Sequence, residues 1–356
     1  MLRTDSMSTQ EKPELLSSGA GLGAAVAAET GTELGELETV RARGYWEQVW
    51  RRLRRDKAAL AGGVFIILLI LLAYPGAWIF SKLLGHGPNE IFSVNALDKT
   101  SLLPVGPWTH VTKLDQSGTQ LFILGADGQL GRDEFLRLLY GARVSLEVAV
   151  GATILGMIIG VLMGAIAGYF GGWTDTIVSR VTEIVMAFPV LLFIIALAST
   201  VGDRLNNITF GFLQPGVVTL TVVIGVFGWY YPARIIRAVV LSLREKEFVE
   251  AARMVGASDA RIIRSHLLPH LVAPIIVYST LIVAQNILLE AGLSFLSLGI
   301  PLGTPSWGNL LSSAPDYYLA QPWLMIWPGA AVLVTTLAFN LLGDGLRDAF
   351  DPRATH

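Results

Sequence analysis

Ionisable side chains that border uncharged stretches are the first candidates for chemistry in this sequence. Glu147, Glu183 and Glu290 each stand at the edge of such a run, where a solvated or snorkelled carboxylate costs little, and they are the candidate substrate-pathway residues. His266 and His270 have the i, i+4 spacing of a metal pair, but Pro269 lies between them and no third ligand follows. No metal site is expected. The sequence holds no His-Glu-x-x-His pair, no Gly-x-Ser-x-Gly elbow and no Gly-x-x-x-x-Gly-Lys-Ser/Thr phosphate loop. With no cysteine it also holds no disulfide, thiolate metal site or cysteine nucleophile. The chain is therefore expected to be non-catalytic, to bind no cofactor and to be unable to hydrolyse ATP by itself.

The elements around these residues are those of a membrane protein. Hydrophobic residues make up 53% of the 356 and charged residues 15%, with mean hydropathy +0.56. That balance excludes a conventional soluble enzyme. Charge is absent from Ala58 to Ser81, Val148 to Thr174, Ile184 to Gly202, Leu205 to Ala233, Ser265 to Leu289 and Tyr317 to Gly343. About 20 apolar residues cross a hydrocarbon core of about 30 Å as a helix, so the six runs predict six transmembrane helices in an all-α polytopic fold. They are continuously apolar and do not alternate, so helices are preferred over a β-barrel. Pro189 is expected to bend the third span, and Gly151, Gly156, Gly160, Gly164 and Gly168 in the second predict close helix packing. A net charge of −2 gives no reason to expect nucleic acid.

Charge position predicts orientation. Residues 1–40 read as a disordered cytoplasmic tail. The basic juxtamembrane segment 41–57, with seven Arg and Lys against two acids and with Trp46 and Trp50 as aromatic anchors, stays inside. The first apolar run begins only at Ala58, so it is expected to remain as a span instead of being cleaved as a signal. The order is then a first transmembrane helix at 58–80, an extracytoplasmic segment at 81–143, a five-helix core at 144–345 with a cytoplasmic segment at 240–270, and a cytoplasmic tail at 346–356. The expected location is the bacterial plasma (inner) membrane, multi-pass, with both termini cytoplasmic. Arg347, Asp348, Asp351 and Arg353 read equally as an intracellular brace or a solvated tail.

Span interiors free of ionisable groups speak against an ion-coupled secondary carrier, which binds its coupling ion near the midplane. A membrane-embedded hydrolase would need polar side chains converging at one depth, and none is evident.

From Arg244 to His270 the chain is too polar to span and too patterned for a linker. Phe248, Ala251, Ala252 and Val255 share a helical face, Gly256 can end that helix in the left-handed conformation, and Ser258 or Asp259 can cap the next. Spacing alone fits both a stiff projecting element that meets a partner and an ordinary re-entry loop.

Glu250-Ala251-Ala252, with Gly256 after it and Pro269 downstream, resembles the EAA loop of membrane subunits in binding-protein-dependent ABC importers. LGRDEFLRLLYGARVSL (Leu130 to Leu146), LSFLSLGIPLGTPSWGNLL (Leu293 to Leu311) and AFNLLGDGLRDAFDPR (Ala338 to Arg353) resemble the C-type permease of dipeptide and oligopeptide importers, the peptide and nickel branch. The resemblance runs from about Arg41 to the end. The tail before it and the segment from Pro104 to Gly128 exceed what compact members carry. It implies a type I importer permease fold that pairs with a homologous B-type permease in the lipid bilayer. It also implies two ATPase domains or subunits, which bind ATP and Mg, and an extracytoplasmic peptide-binding protein. Glu250, Ala251, Ala252, Gly256, Ala257 and Ser258 are then the ATPase-docking set. A nickel permease of the same branch is the alternative within the family, and a secondary carrier the alternative outside it.

Overall fold

The computed structural model describes residues 44–114, 118–189, 191–197, 200 and 216–351. The expected disordered tail at 1–40 and Arg353 lie outside them. The described residues form a helical membrane protein. Five helices are long and apolar enough to cross a bilayer, or six where one sharply bent pair counts as a single crossing.

Helix α1 (Tyr45–Arg55) ends in Arg52, Arg54 and Arg55, where cations favour a helix C-terminus. Asp56 then caps α2 (Lys57–Leu84), its Oδ1 accepting from the amides of Ala58 and Ala59 at 2.9 and 3.1 Å. Val49 and Leu53 of α1 are buried with Ala59 and Ala349. Within α2, Pro75 has no N–H to give, and the ladder widens to a π turn over Leu72–Gly76.

A segment of short strands follows. β1 (Thr109–Thr112) pairs antiparallel with β2 (Thr119–Phe122), Thr109 opposite Phe122, and β3 (Ala126–Asp127) pairs with β4 (Arg132–Asp133). Phe92, Ala96, Val111, Phe122 and Ala126 form its small core. The helix expected to follow it after residue 143 starts earlier: α3 runs from Glu134 to Phe170. Its polar first turns stay helical because Asp133 caps them, Oδ1 accepting from the Leu136 amide at 2.9 Å. Arg137 is buried there against Asp127 at 2.7 Å, with its Nη1 donating to Asn89 at 2.9 Å.

α4 (Gly172–Ala187) takes in residues expected to lie before the third span, and α5 (Leu191–Leu197) meets it at 87° across the break that holds Pro189. α6 (Val217–Leu243), α7 (Glu247–Met254), α8 (Asp259–Phe295), α9 (Trp307–Ser313) and α10 (Trp323–Phe350) complete the chain. α10 also runs past residue 345, and Arg52 Nη1 donates to the Asp351 carbonyl at 2.5 Å just beyond it.

The long helices pack side by side in the order α2, α10, α8, α3, α6. Lipid supplies no hydrophobic drive between helices, so contact has to come from close packing. α3 achieves this by separating its faces: Ile154, Ile158 and Leu162 are more than half exposed on one side. Gly156, Gly160 and Gly164, each two residues further on and so on the opposite side, meet α6. A Cβ on Gly164 would sit 2.5 Å from the Ala233 carbonyl oxygen, and one on Gly160 would sit 2.6 Å from Pro232 Cγ. Gly151 and Gly168 continue the ridge against Thr221 and Val240. Between α3 and α8, Asn286 Nδ2 donates to Thr153 Oγ1 at 2.9 Å.

His86 is buried beside Phe92 and Phe122 and lies 2.9 Å from Asp133 Oδ2, while the other oxygen of Asp133 caps α3. Burial pushes its pKa down, but the hydrogen bond to Asp133 and that carboxylate's field outweigh it, and the net value is raised above 6.5. A raised folded value means a stabilisation that is complete below 6.5 and lost as pH climbs through the elevated value.

Two outcomes are expected. Gly164→Val lowers the thermal midpoint of the detergent-solubilised chain by an overpacking cost of about 1–3 kcal/mol, whereas Leu162→Val on the lipid face leaves it nearly unchanged, both read by tryptophan fluorescence. Limited proteolysis of the strand segment accelerates as pH rises above 6.5, and His86→Asn flattens that dependence.

Candidate functional site

The polar stretch after α6 is built from two helix ends and a turn. Glu247 and Glu250 occupy the first turn of α7, where acids favour the N-terminal dipole. Gly256 ends the helix at φ +82°. Its amide bonds the Arg253 carbonyl at 2.9 Å and the Ala257 amide bonds the Ala252 carbonyl at 3.0 Å, the paired bonds of a Schellman turn. Ser258 takes the N-cap position of α8 with extended backbone but without a capping bond from its hydroxyl. α8 then passes through a π stretch over Ile262–Leu267 before its regular course.

The turn is anchored to the bundle. Val249, Ile262, Leu267 and Leu271 are buried with Ala165 and Tyr169 of α3 and Ile236 and Val240 of α6. Tyr169 donates its hydroxyl to Asp259 Oδ1 at 2.6 Å, and the Arg253 guanidinium lies 5.2 Å from the Tyr169 ring centre. Among the expected docking residues, Glu250, Ala251, Gly256 and Ser258 are exposed, while Ala252 and Ala257 are half-buried against the bundle. Of the residues expected to share an apolar face, Phe248, Ala251 and Val255 are exposed and Ala252 alone packs partly against the bundle. The buried residue of this helix is Val249, which shares a core with Ile262 and Val240, whereas Val255 is 89% exposed beside Met254 at 83%. The result is a rigid turn with an uncovered apolar surface. His270 lies against Phe248, ring centres 5.1 Å apart.

The three expected pathway carboxylates do not share one site. Glu147 accepts from Arg143 Nε at 2.8 Å and from the Tyr74 hydroxyl at 3.4 Å, joining α3 to α2. Glu290 is fully buried, accepts from Ser294 Oγ at 2.8 Å, and has the hydroxyls of Ser145 and Ser306 in reach, so it ties α8 to α3 and to the start of α9. Glu183 is exposed and lines a cavity of about 490 Å³ between α4 and α6, with Ser179, Thr182, Met186, Arg234 and Arg237. Arg237 is held there by a two-point pair with Asp175, Nη2 to Oδ2 at 2.6 Å and Nε to Oδ1.

Sequence reasoning passed over Tyr169, Asp175, Arg234 and Arg237. The two arginines start where the charge-free run ends, and their i, i+3 spacing was the available signal that they share a helix face. The Tyr169 to Asp259 contact bridges 90 positions and carries no local signal.

Two family models match. Residues 160–356 fit the binding-protein-dependent transport system inner membrane component, and residues 44–97 fit the N-terminal TM domain of oligopeptide transport permease C. A Brucella ovis protein that carries the name of a peptide permease is 39% identical over 307 residues, covering 85% of this chain and 89% of its own. The glutathione transport system permease protein GsiD of Escherichia coli is 36% identical over 308 residues, covering 86% and 90%. Among solved structures, the inward-facing MetNI methionine ABC transporter aligns with TM-score 0.48 and 16% identity, over 61% of this chain and 97% of that one.

The tether on the turn can be removed singly. Tyr169→Phe deletes a hydrogen bond to a charged acceptor, of about 1.5–3 kcal/mol, and should raise amide exchange across residues 250–262 about tenfold or more. Unchanged exchange would show that the turn is held by apolar packing alone.

Proposed function

The chain belongs to the family of binding-protein-dependent transport system inner membrane components, and on that premise we propose that it is the permease subunit of an ATP-driven peptide importer. Support for peptide as cargo comes from the relatives named for peptide and glutathione transport. In this reading the chain pairs with a homologous permease, an extracytoplasmic binding protein delivers the substrate, and two ATPase domains dock beneath. The turn of α7 and Gly256 faces the cytoplasm, and both termini lie on that side.

The observation that carries the coupling role is the anchored turn with its bare apolar surface. Met254 and Val255 are among the most exposed apolar side chains of the described residues, yet the backbone behind them is fixed by Val249, Ile262 and the Tyr169 tether. An element so held presents apolar surface to a partner and moves with it. ATP binding favours one arrangement of the ATPase pair, the docked Glu250, Ala251, Ala252, Gly256, Ala257 and Ser258 follow it, and α3, α6 and α8 shift with the turn. ATP works here through differential affinity for two states of the bundle. This chain contributes no catalytic group, and ATP with its Mg belongs to the partners. Of the three carboxylates, Glu183 is the one assigned to the substrate path, because it lines the cavity between α4 and α6.

Gly256 provides the test. Nothing lies within 4 Å of a Cβ placed on it, so a substitution there creates no clash and acts through the left-handed backbone alone. In vesicles holding the assembled importer, Gly256→Val should cut peptide uptake about tenfold or more while ATP hydrolysis persists. Wild-type uptake by this variant would contradict the docking assignment, and uptake of nickel in place of peptide by the wild type would reassign the cargo.

A further inference from the structure

The cavity between α4 and α6 treats its two arginines differently. Arg237 is neutralised by the two-point pair with Asp175. Arg234, one turn away on the same helix face, is exposed, and its Nη1 contacts Met186 Sδ at 3.5 Å, a weak acceptor. Among the described residues no carboxylate forms an ion pair with it. It lies nine residues before Leu243, the end of α6, hence about 13 Å inside that end at about 1.5 Å per residue. An ionised group on a helix long enough to cross a membrane is retained where it faces water and meets a partner.

Glu183 supplies the opposite charge from α4. It pairs with Arg180, one turn away at 2.6 Å, but the two side chains are 61% and 73% exposed, and an exposed pair of this kind is readily exchanged for another. Ser179 and Thr182 add hydroxyls between the charged groups, and Met186 adds a flexible apolar wall. The cavity is thus bounded by a free guanidinium on one helix and a loosely paired carboxylate on the other. Its volume of about 490 Å³ falls within the roughly 300–1,000 Å³ typical of small-ligand sites.

We propose that this cavity is a passage subsite for short zwitterionic peptides, in which Arg234 receives the terminal carboxylate and Glu183 the terminal ammonium. A guanidinium can bind a carboxylate through two parallel N–H···O bonds, a geometry that no side chain of the cavity supplies to Arg234. Recognition at the two termini, with a pliable wall between, leaves the peptide's own side chains unread. The inference rests on the peptide-import reading and adds to it the groups that hold the peptide in passage.

The test uses the complete importer in phosphatidylcholine vesicles, with dialanine and dialanine amide as probes and uptake normalised to the occupancy of the binding protein, titrated separately. The wild type should carry the free acid at least about tenfold better than the amide. Arg234→Gln should lower uptake of the acid about tenfold, abolish the preference and reduce the ratio of peptide carried to ATP hydrolysed, and Arg234→Lys should restore part of the uptake. Glu183→Gln gives an independent reading: the preference for dialanine over N-acetyl-dialanine should disappear. An unaltered acid-to-amide preference in Arg234→Gln would overturn the assignment. So would an effect of that variant seen in vesicles containing anionic lipid and absent in phosphatidylcholine, which would make Arg234 a clamp for lipid phosphate. If wild-type vesicles accumulate no dialanine at all, the peptide reading itself fails; if they do and Arg234→Gln behaves as wild type, the subsite alone fails.

Discussion

Backbone proximity along one face of α3 underlies most of what the molecule can do. Inside a bilayer the usual reward for burying apolar surface is missing, so two helices stay together through the fit of their surfaces. On α3 the fit comes from glycines at 151, 156, 160, 164 and 168, which let α6 lie against it along most of its length. Everything assigned to function hangs from this pair. Tyr169 at one end of α3 holds the Gly256 turn, the cavity arginines project from α6, and the strand segment is fastened to the other end through Asp133 and Arg137.

Charge is handled in three distinct ways. At the strand-segment end, the buried Arg137 and Asp127 form an ion pair, and Arg137 also donates to the exposed Asn89. Between α4 and α6, Arg237 and Asp175 hold two helices together by a paired contact. Arg234 is left with a thioether for company. Since an isolated charge has a cost in such surroundings, the contrast between neighbours one helical turn apart is more informative than either residue alone.

Much of the architecture was legible in the sequence because lipid imposes a simple rule on composition. Charge-free runs marked the long helices, the glycine spacing marked the α3 to α6 contact, and Gly256 marked the end of α7. Helix ends were less legible. Glu134 to Arg143 and Arg234 to Leu243 are polar enough to look like loops, yet Asp133 caps the first and the hydrogen-bond ladder of α6 continues through the second. Searching for uncharged stretches therefore placed Arg234 outside the span, and with it the most informative cation of the cavity. Which of the two valines is buried was not legible either: Val249 and Val255 are equally apolar, and Val249 is the one that joins the core of Ile262 and Val240.

The length of α3 has a mechanical corollary. Its 37 residues extend about 55 Å at about 1.5 Å each, well beyond a hydrocarbon layer of about 30 Å, and no proline interrupts them. A rod of that kind, secured at both extremities, bends little. Its two fastenings, the Tyr169 bond to Asp259 near one end and the Asp133 cap at the other, are therefore linked by one uninterrupted helix.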